Sequence, residues 1–261
     1  MNPIPTETDL AFLAARQGLY RFTAICLLDP RAGAWSDLYD QESHRLITAA
    51  AAIVREEPSA APADLARGEF PLLCLNPVEV FSALPPRYDA LNALYESTFG
   101  LLVSGGCPPY ETEYINSKFE SRRSQTLADV AGFYAAFGLE LSRAVPERPD
   151  HLARELEFMA NLIALERMAF EEGAVGADER LAVCRDAQRN FLSEHVCWWA
   201  PTFARLLTLQ APGTFYASVG KFLAALIAAE RALLGVPSPT APVQPTSIER
   251  PEECQGCLLQ S

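Results

Sequence analysis

Pro146-Glu147-Arg148-Pro149-Asp150-His151, running directly into Leu152-Ala153-Arg154-Glu155-Leu156-Glu157-Phe158-Met159, is the stretch from which the rest of the chain is read. Each proline fixes its own φ and disfavours α geometry in the residue before it, so a helix arriving from the N-terminal side stops here. Asp150 is placed to accept a hydrogen bond from a first-turn amide as N-cap. Behind it Leu152, Leu156, Met159, Ile163 and Phe170 recur at helical spacing. The reading is helix, break, helix, close to mid-chain.

The same periodicity extends in both directions. Upstream, Ser124 to Val145 carries Leu127, Val130, Tyr134, Phe137 and Leu141 in register, and Tyr88 to Leu102 carries Leu91, Leu94, Tyr95 and Thr98. Thr8 to Leu28 forms a first helix through Phe12, Ala15, Leu19, Phe22 and Cys26. A second, capped by Ser36 or Asp37, runs to Glu57. Between Asp64 and Pro86 four prolines permit only short helices. Downstream, Asp178 is placed to cap a helix through Leu181, Cys184, Phe191, His195 and Trp198, which bends or restarts at Trp199-Ala200-Pro201. Gly213 to Leu234 is apolar around most of its circumference. The five prolines from Pro237 to Pro251 then predict an extended tail. No period-2 run is long enough for a strand. The expected architecture is all-α: a helical bundle of two subdomains, 1–145 and 151–236, joined by a Pro-containing hinge at 146–150, with a disordered tail at 237–261.

Composition narrows the function. At 261 residues and 49% hydrophobic content the chain can bury a sizeable core. No run approaches the roughly 20 apolar residues of a membrane span, and the N-terminus lacks the basic region of a signal peptide, so a cytoplasmic location without stable membrane insertion is expected. Lys+Arg 21 against Asp+Glu 33 leaves a net charge of -12, which repels nucleic acid and favours basic partners. Cys26, Cys74, Cys107, Cys184 and Cys197 stand singly and read as small buried hydrophobes in a reducing compartment.

Candidate chemistry is sparse. Cys254-Gln-Gly-Cys257 has the spacing of a redox dithiol or half a zinc site, but no second pair completes four ligands, and a thiol- or metal-dependent enzyme built on it is the alternative reading. His151 and Glu155 stand at i and i+4, where they can share a proton or contribute to a ligand site; a structural role is the competing reading. Glu111, Glu113 and Glu120 flank Tyr110, Tyr114 and Phe119 after the Pro108-Pro109 turn, a combination suited to arginine, which gains charge pairing and stacking together. The competing reading is a solvated loop whose tyrosines plug the core edge. No phosphate-binding glycine loop and no nucleophile elbow occurs, and neither enzyme activity nor a cofactor or metal is expected.

Two segments, in this order, resemble a known family. Cys107-Pro-Pro-Tyr-Glu-Thr-Glu-Tyr114 resembles the Pro-Pro-x-Glu-x-x-Tyr stretch of the TorD/DmsD/NarJ type of redox-enzyme maturation chaperone. Pro149-Asp-His-Leu-Ala-Arg-Glu-Leu-Glu-Phe-Met159 resembles its Asp-His-[Ile/Leu]-x-x-Glu-Leu-x-Phe-Met stretch. An aromatic His-x-x-Trp pattern between Phe191 and Phe203 is similar too. The resemblance implies a cytoplasmic chaperone that binds the twin-arginine signal peptide and apoprotein of a molybdoenzyme catalytic-subunit precursor and delays its export until cofactor is inserted. Molybdenum-cofactor biosynthesis proteins are further implied partners, and the chaperone is expected as monomer or homodimer. The motif residues fall on Pro108, Pro109, Glu111, Tyr114, Asp150 and His151, with Tyr110 and Glu155 added as neighbours in the expected client site. The Pro-rich tail and its cysteine pair depart from the family pattern.

Overall fold

The computed structural model describes residues 7–32, 34–100, 106–115, 120–140, 147–172, 176–240 and 243–246. Among them the chain is all-helical: α1 (Glu7–Leu27), α2 (Gln41–Glu56), α3 (Pro77–Ser82), α4 (Tyr88–Phe99), α5 (Glu120–Ala136), α6 (Leu152–Glu172), α7 (Ala177–Phe191), α8 (Ala200–Gln210) and α9 (Phe215–Leu234). Short 3-10 turns punctuate them, and a π turn, Leu192–Val196, lies between α7 and α8. The only strand-like pairing among these residues is one antiparallel bridge, Tyr110 to His151.

Helix ends follow local chemistry, with differences from the sequence expectation. α2 is capped by Asp40, whose carboxylate accepts from the Ser43 amide at 2.8 Å, and not by Ser36 or Asp37, which lie in a preceding 3-10 turn. Gly176, not Asp178, is the N-cap of α7, and Asp178 sits in the first turn, where its charge suits the helix dipole. α5 ends at Ala136, ahead of the expected Val145; Gly138 follows at a φ of 72° and turns the chain. α9 stops where Gly235 adopts left-handed geometry.

α1 packs along α6 and α2, α6 carries α7, and α9 lies against α8 while also touching α1 and α3. From Phe215 to Arg231 only Ser218 and Lys221 of α9 are not buried, so this helix forms the middle of the core. One continuous apolar cluster takes in Leu19 and Phe22 of α1, Val54 of α2, Met159 and Ile163 of α6, and Phe222 and Ile227 of α9. Burying each such side chain stabilises the fold by about 1.5–3 kcal/mol. α8 approaches α9 closely at Gly220, where a Cβ would lie 2.6 Å from the Ala204 carbonyl oxygen.

Four of the polar side chains inside this core form one paired network. Arg16 of α1 holds the Glu230 carboxylate of α9 in a fork at 2.9 and 2.6 Å and also donates to Gln188 of α7. Gln188 in turn donates to Glu166 of α6 at 2.8 Å. Four helices are thereby fixed in rotation relative to one another. The single cysteines within the described residues are free thiols, all buried except the half-buried Cys74.

Candidate functional site

The two motif segments meet. The Glu111 amide donates to the Asp150 carbonyl at 2.9 Å and the Leu152 amide to the Pro109 carbonyl at 2.9 Å, which brackets the Tyr110–His151 bridge. Proline has no N–H, but its carbonyl is available, so the Pro108-Pro109 turn can still pair. The two motif segments are thus joined by a backbone latch between Pro109–Thr112 and Asp150–Leu152.

Within the latch, the acids already have partners. Asp150 is fully buried and does not cap α6: its carboxylate accepts from Arg148 Nε and Nη2 at 2.9 and 2.8 Å, and from the Thr112 amide and hydroxyl at 3.1 and 2.7 Å. A guanidinium fork outcompetes a neutral first-turn amide, so the N-cap role passes to His151, whose Nδ1 accepts from the Ala153 amide at 3.1 Å. Arg148 also reaches Glu113 at 3.3 Å and lies over the Tyr110 ring, 4.3 Å from its centroid. The arginine landing site expected of Tyr110 and its acids is therefore occupied by an arginine of the chain itself.

His151 and Glu155 are both buried and share no proton. Burial lowers the His151 pKa to about 3, overriding the opposite pull of Asp150, so the ring is neutral at neutral pH. Burial drives the Glu155 carboxyl well above its ordinary range, and the nearby Glu111 and Asp150 charges add to this. By geometry neither Glu155 oxygen has a hydrogen-bond partner, and the Trp199 indole N–H donates to the His195 carbonyl at 2.5 Å. Of the sequence-selected residues, Pro108, Pro109, Glu111, Tyr114, Asp150, His151 and Glu155 are buried, and Tyr110 is half-buried with its hydroxyl donating to Glu147 at 3.2 Å. Phe119 lies outside the described residues, as do Cys254 and Cys257.

Glu111 opens the site in a second direction. Its carboxylate accepts from the Trp198 indole at 2.9 Å and faces His195 Nδ1 at 3.2 Å. Burial raises the Glu111 carboxyl above its usual range, against the opposing pull of His195 and Trp198. These three residues form one wall of a cavity of about 1050 Å³, with Tyr114, Asp129, Glu194, Arg67 and Arg122 elsewhere on its lining. Val243–Thr246 of the Pro-rich segment completes the lining; Thr246 donates its amide to the Glu113 carbonyl at 2.7 Å and its hydroxyl to the Ile115 carbonyl at 2.8 Å. A non-helical piece of polypeptide thus already runs along this wall.

Sequence reading did not select Arg148, Asp129, Glu194 or His195 as site residues. Arg148 lies inside the decisive stretch, and its charge beside Asp150 was the available signal. His195 was visible as one position of an apolar helical pattern and as the histidine of the His-x-x-Trp pattern, but neither marked it as a site residue.

The family described as nitrate reductase delta subunit matches residues 82–205, which span the latch, α6 and the π turn. The selenate reductase assembly chaperone protein of Thauera selenatis is 32% identical over 152 residues, covering 58% of this chain and 74% of the relative. The chain belongs to the TorD/NarJ-type family of redox-enzyme maturation chaperones. Other relatives in this family include the chlorate reductase assembly chaperone protein of Ideonella dechloratans, 31% identical over 56% of this chain and 72% of its own. The TorD chaperone of Vibrio cholerae is 26% identical over 58% of this chain and 66% of its own. The family is one of assembly chaperones rather than catalysts. Among the described residues no helix is long and apolar enough to cross a membrane.

Proposed function

We propose that this family member is a cytoplasmic chaperone for the catalytic-subunit precursor of a molybdenum-cofactor reductase, binding its twin-arginine signal peptide and apoprotein and delaying export until cofactor is inserted. The observation that carries the reading is the peptide-sized cavity beside the latch, whose wall holds Val243–Thr246 through main-chain carbonyls. These carbonyls accept from the Thr246 amide and hydroxyl, and open main-chain acceptors of this kind suit an extended client segment. Asp129 and Glu194, with Trp198 beside them, supply charge and an aromatic face for the arginine pair. Pro108, Pro109, Glu111, Tyr114, Asp150, His151 and Glu155 act from within, holding the wall in place, and Tyr110 marks its outer edge. The connection at 146–150 serves as the hinge between the two subdomains and couples client contact on one side to α6 on the other.

Calorimetry of the full chain against the signal peptide of its partner reductase tests this. Binding should weaken as salt rises and drop about tenfold, or 1.4 kcal/mol, when the arginine pair is replaced. Removing residues 243–261 should tighten it, since a competing segment leaves the wall. Absence of binding to both signal peptide and apoprotein overturns the proposal.

A further inference from the structure

His195 has a free coordination position aimed at acids. The residue is 3% exposed, its Nδ1 faces the Glu111 carboxylate at 3.2 Å, and its buried Nε2 has no hydrogen-bond partner. That Nε2 stands 3.7 Å from Asp129 Oδ2 of α5, and the donor atoms of Asp129, Glu194 and His195 all lie within 4.8 Å of one another. Glu194 and His195 both belong to the π turn, whose widened backbone departs from the spacing of an α-helix.

We infer that Asp129, Glu194 and His195 bind one divalent transition-metal cation, with Glu111 as the positioning residue behind His195. This goes beyond the client-binding reading, with which it shares Asp129 and Glu194 but on which it does not rest. The arrangement is the carboxylate–histidine–metal relay in which a buried acid fixes the tautomer and the ring orientation of a ligating imidazole. A cation on Nε2 selects the tautomer whose Nδ1–H donates to Glu111, and the Trp198 indole holds Glu111 from its other side. The two carboxylates are exposed and swing in over a short distance, while the imidazole is fixed by Phe133 and Phe191, with ring centroids 5.4 and 5.1 Å away. Three protein donors leave a position for water. One imidazole and two carboxylates suit zinc, cobalt or manganese, and the absence of thiolate disfavours soft copper. Arg67 and Arg122 line the same cavity, so long-range attraction is weak and the cation must form direct bonds to nitrogen and oxygen.

The test is a cobalt(II) titration of the full chain carrying Cys254→Ser and Cys257→Ser, followed by visible absorption and calorimetry without client. Expected is saturable one-to-one binding with the visible absorption of a cobalt(II) site that has a nitrogen ligand. Glu111→Gln should weaken it by about 10–100-fold, as loss of an outer-shell partner does. Asp129→Asn, at a surface position that leaves folding intact, should weaken it by at least about tenfold, and His195→Gln should abolish the nitrogen-ligand signature. No saturable binding overturns the inference, as does binding unchanged by Asp129→Asn combined with Glu194→Gln. Neither outcome bears on signal-peptide binding, which is measured without metal.

Discussion

His151 and Glu155, one helical turn apart at the start of α6, are driven by burial in opposite directions, each towards its neutral form. The unfolded His151 binds a proton near its ordinary value of 6.5, whereas the folded ring resists until about 3. Its contribution is therefore complete above pH 6.5 and falls as pH drops from there towards 3, by up to about 1.4 kcal/mol per pH unit. Glu155 has the reverse sign: its folded pKa is raised above 4.5, so its contribution is present below that value and is lost as pH rises through the folded pKa. Urea unfolding from about pH 4 to pH 8 should show a flatter acid limb for His151→Gln, and for Glu155→Gln a growing advantage over the wild type towards alkaline pH. Asp150→Ala should cost about 3 kcal/mol, because it strips partners from Arg148 and Thr112. A chevron or denaturant midpoint measures it, and any loss of client binding must be read against that loss of stability. Burial of the motif acids was not legible in the sequence, since an exposed Glu-rich loop and a paired, buried one have the same composition.

At the scale of elements, the helices were legible and their ends less so. Periodic apolar residues located α1, α6 and α9 to within a few residues, because burial of one face is what stabilises a helix in a folded protein. Caps were misassigned where several candidates stood together, as with Ser36, Asp37 and Asp40, since a cap is chosen by where the chain turns. The π turn at Leu192–Val196 left no sequence signal beyond the proline that follows it at Pro201. Gly220 appeared as one small residue in an apolar helix, yet it sets the α8–α9 separation. Gly220→Ala should cost about 1–3 kcal/mol through overpacking, seen as a lowered thermal midpoint, while the exposed Lys221→Ala beside it should change little.

For the whole molecule, the buried network joining Arg16, Glu230, Gln188 and Glu166 binds α1, α9, α7 and α6 into one arrangement. Glu230→Ala should destabilise by about 3–5 kcal/mol by leaving the Arg16 charge buried without its partner, and Arg16→Met with Glu230→Met together should recover most of that loss, as denaturant midpoints will show. The sequence by itself determined the helical class, the break just ahead of α6 at Glu147–Asp150 and the two motifs of the family, because helix periodicity, proline geometry and short motifs are local properties of the chain. Tertiary structure alone decided that Asp150 serves Arg148 and not α6, that Glu111 orients His195, and that Val243–Thr246 lies on the cavity wall. Those pairings join residues 35 or more positions apart, except the short Arg148–Asp150 contact, which a guanidinium reaches only once the latch has buried the acid. Local rules constrain a chain over a turn or two of helix, and beyond that range the packing of one element on another selects the partner.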